Sequence, residues 1–108
     1  MTGKRARRQG RDGETEAKNI LLSRDWVIAD LSSGLSCEDL LGTDPDGISW
    51  SIEVKATAAI TIKHREQAMR QAEKRKARWM LMSKILQTSS FLVQRQGHMP
   101  TVWRMSYE

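Results

Sequence analysis

The tetrapeptide Asp44-Pro45-Asp46-Gly47 constrains this chain more than any other stretch, because it dictates how the residues on either side of it must meet. Pro45 presets φ at the first turn position and Asp46 tolerates the second. Gly47 supplies the left-handed residue of a three-residue hairpin loop with a bulge. With Asp44 set opposite Ile48, the register places Leu40 opposite Ile52 and Asp39 opposite Glu53. The alternation agrees: Ile48, Trp50, Ile52 and Val54 fall on one face of the second strand, and Ser49, Ser51, Glu53 and Lys55 on the other.

Directly opposed residues have Cβ atoms roughly 5 Å apart, so the carboxylates of Asp39 and Glu53 are expected to reach one divalent cation together. Mg²⁺ favours carboxylate and water oxygens. A lysine on the same face, Lys55, can orient a water or neutralise charge on a phosphate. A Glu-x-Lys pattern by itself is usually the solvated face of an amphipathic strand, and the acid opposite is what brings the metal-site reading level with that one. Pro45-Asp46 is not the partner of Glu53. Asp46 lies at the hairpin tip, roughly 23 Å along the strand from Glu53, and serves the turn.

The chain has 108 residues, which suits one domain. Its 18 Lys and Arg exceed its 13 Asp and Glu, a net charge of +5 that points to an anionic partner, nucleic acid first. The single cysteine, Cys37, cannot form an internal disulfide and fits a reducing compartment. No apolar run approaches the length of a membrane span and the N-terminus lacks a signal-peptide stretch, so a cytoplasmic location is expected.

Along the chain, residues 1–12 carry Lys4, Arg5, Arg7, Arg8 and Arg11 with little that is apolar. They are expected to be a flexible basic arm, either contacting DNA or only solubilising, ahead of a single domain over 13–108. From Gly13 the spacing of Ala17, Ile20 and Leu21 predicts a helix with Glu14 turned toward its packed face and Glu16 away from it. Trp26 to Asp30 reads as a short strand. The loop Leu31 to Glu38 leads into Asp39, and Ser36 within it could hold a phosphate or merely connect.

A second helix is predicted over about Ile62 to Arg78, with a narrow stripe of Ala68, Met69 and Ala72. Gln67 and Gln71 share one face of it. Lys63, Arg70 and Lys74 are among the basic residues that could follow a phosphate backbone or simply be solvated. Trp79 to Ile85, Ser90 to Arg95 and Thr101 to Tyr107 have strand lengths, with a turn at Gly97. His64 and His98 stand apart from the acids and make no zinc site.

With Glu14, Asp39, Glu53, Lys55 and Gln71 in that order, the chain resembles the PD-(D/E)XK nuclease superfamily, in particular its archaeal and bacteriophage Holliday-junction-resolvase-like branch. The resemblance rests on Gly13-Glu14-Thr15-Glu16, Asp39-Leu40-Leu41, Ile52-Glu53-Val54-Lys55 and Gln71-Ala72-Glu73. Glu38 stands where the superfamily's name puts a proline.

The resemblance implies an α/β, restriction-endonuclease-like core in the order α-β-β-β-α-β-β, with a central mixed sheet flanked by helices. It implies a Mg²⁺-dependent endodeoxyribonuclease acting on branched DNA as a homodimer, with Mn²⁺ able to substitute. Glu14, Asp39 and Glu53 would be its metal-binding acids, Lys55 the catalytic lysine and Gln71 a further site residue. A nuclease nicking or cutting duplex or flap DNA, and a basic DNA-binding module without catalysis, remain alternatives. For a phage-encoded member the location would be the host cytoplasm.

Overall fold

The computed structural model describes residues 2–29, 40–55 and 62–105, with residues 2–12 described as backbone alone. Helix α1 (Thr2–Ser23) precedes strands β1 (Val27–Ala29), β2 (Leu40–Thr43) and β3 (Ser49–Lys55). Helix α2 (Ile62–Lys74) then leads to β4 (Arg78–Lys84), β5 (Ser90–Arg95) and β6 (Thr101–Arg104). The strands form one six-stranded sheet in sequential order. Every neighbouring pair is antiparallel except β3 and β4, which run parallel. A parallel pair needs a crossover, and α2 provides it.

The hairpin forms in the expected register, with Leu40 opposite Ile52 and Thr43 opposite Ser49. Asp44 N–H donates to the Ile48 carbonyl at 2.9 Å, Gly47 N–H donates to the Asp44 carbonyl at 2.9 Å, and Gly47 has φ +82°. The Asp44 side chain completes the turn. Its Oδ1 accepts from the backbone N–H groups of Asp46 and Ile48, and its Oδ2 accepts from the indole Nε1–H of Trp50, each at 2.9 Å. Burial alone would raise the Asp44 pKa, but the indole bond, the two backbone bonds and the nearby Arg78 outweigh it, so the pKa lies below its ordinary value.

One sheet face packs on α1. Ala17, Ile20 and Leu21 join Trp50, Ile52, Met80, Met82, Phe91 and Val93 in one buried cluster, each large side chain contributing about 1.5–3 kcal/mol. Gly42 permits this closeness, since a Cβ there would meet Ile28 Cδ1 at 3.1 Å, Ile52 Cδ1 at 3.2 Å and Trp26 Cε3 at 3.3 Å. Residues of the other parity, Ser51, Glu53, Leu81 and Ser83, are also buried. α2 packs on β3 and β4 and buries only Ala68 and Ala72. Small side chains let this polar helix lie close to the strands.

Several expectations are corrected. α1 begins at Thr2, so helix runs through the segment expected to be an arm up to residue 12. Arg, Ala, Lys and Gln are strong helix formers, but with no apolar stripe among them the periodicity carries no signal there. Glu16, expected to point away, instead accepts from Lys84 Nζ of β4 at 2.9 Å. α2 stops at Lys74 rather than near Arg78, and Met69 is 46% exposed.

Both helices end in the same hydrogen-bonded motif. Asp25 (φ 66°) follows α1, with Trp26 N–H bonded to the Leu21 carbonyl and Asp25 N–H to that of Leu22. Lys76 (φ 54°) follows α2, with Ala77 N–H bonded to the Ala72 carbonyl and Lys76 N–H to that of Glu73. No described helix is long and apolar enough to cross a membrane.

Candidate functional site

β3 brings Glu53 and Lys55 onto the sheet face that does not carry the α1 cluster, because side chains two apart on a strand share a face. Glu53 is only 2% exposed, although strand alternation alone would have allowed it to be solvated. The reading of Glu-x-Lys as an ordinary wet surface is thereby excluded for Glu53. Lys55 Nζ stands 3.9 Å from Glu53 Oε2, an ion pair in range but too long for a hydrogen bond. A carboxylate so removed from water costs several kcal/mol unless positive charge and donors compensate it.

The parallel pairing extends this face onto β4, where Leu81 is registered with Glu53 and Ser83 with Lys55. Ser51 and Ser83 are both fully buried. Among the described residues, the Ser83 hydroxyl has no hydrogen-bond partner, nor does Oε1 of Gln94, which pairs with Leu81 from β5. Ser83 was missed in the sequence, where it sits in the run Trp79 to Ile85. A lone hydroxyl at the parity of Leu81, directly after the apolar run Met80-Leu81-Met82, was the signal.

The other predicted site residues are placed as follows. Glu14 is half-buried on α1, beside buried Gly13 and Ala17. Gln67 and Gln71 are half-buried on α2, next to the buried alanines. Lys63, Arg70 and Lys74 are exposed. At about 100° per residue they share a face of α2 roughly opposite Ala68 and Ala72, so this basic stripe is turned away from the sheet. Asp39 and Ser36 lie outside the described residues, as do the side chains of Lys4, Arg5, Arg7, Arg8 and Arg11.

Among the described residues, no three acid, histidine or cysteine side chains converge as a metal shell. The donor chemistry nonetheless suits a hard cation. Glu53 offers carboxylate oxygens in a site shielded from water, and the hairpin register is observed up to Leu40 opposite Ile52, one position short of the expected Asp39–Glu53 pair.

No protein-family model matches the sequence, and no curated protein does. Among solved structures, the fold is similar to that of Hjc, a Holliday junction resolvase from the archaeal hyperthermophile Archaeoglobus fulgidus. The TM-score is 0.52 and the sequence identity 14%, over 79% of this chain and 80% of that one. This chain's six-stranded mixed sheet with its two helices is therefore similar in fold to that protein.

Proposed function

We propose that this chain is a metal-dependent endodeoxyribonuclease of the resolvase-like kind, hydrolysing phosphodiester bonds in branched DNA as a homodimer. The observation that carries the reading is the burial of Glu53 beside Lys55, on a fold similar to that of a Holliday junction resolvase. A charged acid is costly to hold in such a place unless it is paired, and a divalent cation is one partner that would compensate it.

Glu53 would hold Mg²⁺ or Mn²⁺ with Asp39 and Glu14, and the ion, when bound, supplies activation of water and neutralisation of phosphate charge. Lys55 places its ammonium where charge develops on the scissile phosphate. Gln71, half-buried on α2, is assigned to orient the attacking water or the phosphate. The exposed stripe of Lys63, Arg70 and Lys74, together with Lys4, Arg5, Arg7, Arg8, Arg11 and Ser36, is assigned to the DNA backbone, in a cytoplasmic enzyme. Each phosphate neutralised adds salt-dependent affinity.

The test is digestion of a synthetic four-way junction, a flap and a linear duplex, with Mg²⁺ and with chelator. Wild type is expected to cut the junction only with metal, and Glu53→Gln and Lys55→Ala to bind it while losing at least 100-fold in cleavage rate. Preferential cutting of duplex or flap would reassign the substrate. Salt-sensitive binding with no hydrolysis in either metal would reduce the protein to a DNA-binding module and end the enzymatic reading.

A further inference from the structure

At the hairpin end of the sheet, three arginines crowd a cleft of about 580 Å³ walled by tryptophans. Arg24 Cζ lies 4.1 Å from the Trp103 ring centroid, and Arg95 Cζ lies 4.8 Å from Trp103 and 5.9 Å from Trp50. Arg78 Cζ lies 5.8 Å from Trp50, its register partner across β3 and β4. The rings also brace one another: Trp26 is 6.0 Å from Trp50 and 6.1 Å from Trp103, and His98 is 5.8 Å from Trp50. All three indoles are at most 7% exposed, so they act as walls that fix the guanidiniums and leave little ring surface for a base to stack on.

Among the described residues, none of these arginines forms an ion pair, and Nε of Arg95 is buried without a hydrogen-bond partner. Asp44 and Asp46 lie on the rim of the cleft. The Asp44 carboxylate is already occupied by two backbone N–H groups and the Trp50 indole, and Asp46 is exposed at the hairpin tip. Burial and the like charge of Arg24 pull the Arg95 pKa down, and the Asp44 carboxylate on the rim only partly offsets them.

We infer that this cleft is an anion site that takes a phosphate group, separate from the Glu53–Lys55 face. Converging guanidinium forks match the several oxygens of a tetrahedral phosphate better than the two of a carboxylate. The volume would admit a nucleotide-sized group. Trp50 precedes Glu53 by three residues, about 10 Å along the strand, and faces the other side of the sheet. A phosphate bound here is therefore not one undergoing hydrolysis at Glu53.

The full-length chain, in chelator without divalent metal, is titrated with inorganic phosphate and separately with a single-stranded oligonucleotide lacking terminal phosphates. The readout is the indole N–H resonances of Trp50 and Trp103. Saturable shifts are expected, with affinity falling at least tenfold in Arg24→Gln, Arg78→Gln and Arg95→Gln and unchanged in Lys76→Gln, a charge-matched control outside the cleft. Saturation by inorganic phosphate assigns a free anion, and saturation by the oligonucleotide alone assigns a strand phosphate; both support the site. Shifts with neither ligand, or equal affinity in wild type and the arginine variants, overturn it. If Arg95→Gln fails to fold, the exposed Arg24 and Arg78 decide. No cleavage is measured, so failure here leaves the nuclease reading standing.

Discussion

Asp44 is where a single side chain does most to fix the hairpin, and its removal makes a quantitative prediction. In Asp44→Ala, the indole N–H of Trp50, a residue 1% exposed, loses its acceptor, and so does the half-buried N–H of Ile48. An unsatisfied buried donor costs about 1–3 kcal/mol and the exposed Asp46 N–H little, so the total is about 3 kcal/mol. For a domain of this size that lowers Tm by about 12 °C. A double-mutant cycle with Trp50→Phe isolates the charge-assisted bond between the two side chains, expected at about 1.5 kcal/mol at pH 7.

The coupling should depend on pH in one direction. The folded-state pKa of Asp44 lies below its ordinary value of 3.8. Its stabilising contribution is therefore complete above that value and is lost as pH falls through the folded pKa. Urea unfolding of the four proteins between pH 7 and pH 2.5 measures this. A coupling below about 0.5 kcal/mol at pH 7, or one of constant size across the range, refutes the account of the turn.

Two further substitutions probe the backbone. Lys76→Gly should stabilise the protein by about 1 kcal/mol, because Lys76 occupies a left-handed conformation (φ 54°) at the end of α2; a loss of stability in urea would contradict that. Gly42→Ala should cost about 1–2 kcal/mol, since its Cβ would meet Ile28, Ile52 and Trp26 at 3.1–3.3 Å, and unchanged thermal unfolding would show that the packing there is loose.

The hairpin was legible residue by residue because turn chemistry and strand alternation act over a few positions and leave no freedom in register. β5 was found at its observed bounds for the same reason, framed by Ser90 and the turn at Gly97. The end of α2 was harder, because the helix closes on a left-handed residue that is not glycine, Lys76, and the usual stop signal is missing. The start of α1 was hidden for another reason, a polar sequence whose helical preference has no periodic signature.

In the site, Glu53 and Lys55 followed from alternation, but the burial of Glu53 did not. It depends on α2 closing over the same face, a contact between segments that no local pattern encodes. The same holds for Ser83, which reaches the site face only through the parallel pairing of β3 and β4. The arginine cleft was invisible as a unit. Arg24, Arg78 and Arg95 come from three separate segments and are linked through Trp50 and Trp103, with Arg95 beside both rings.

Metal binding itself tests the central claim more directly than cleavage does. Titration of Mn²⁺ followed by electron paramagnetic resonance, on wild type, Glu53→Gln and Asp39→Asn, should show a saturable site in wild type that disappears in both variants while each remains folded. Equal Mn²⁺ occupancy in all three proteins would contradict the assignment of Glu53 and Asp39 to a shared ion.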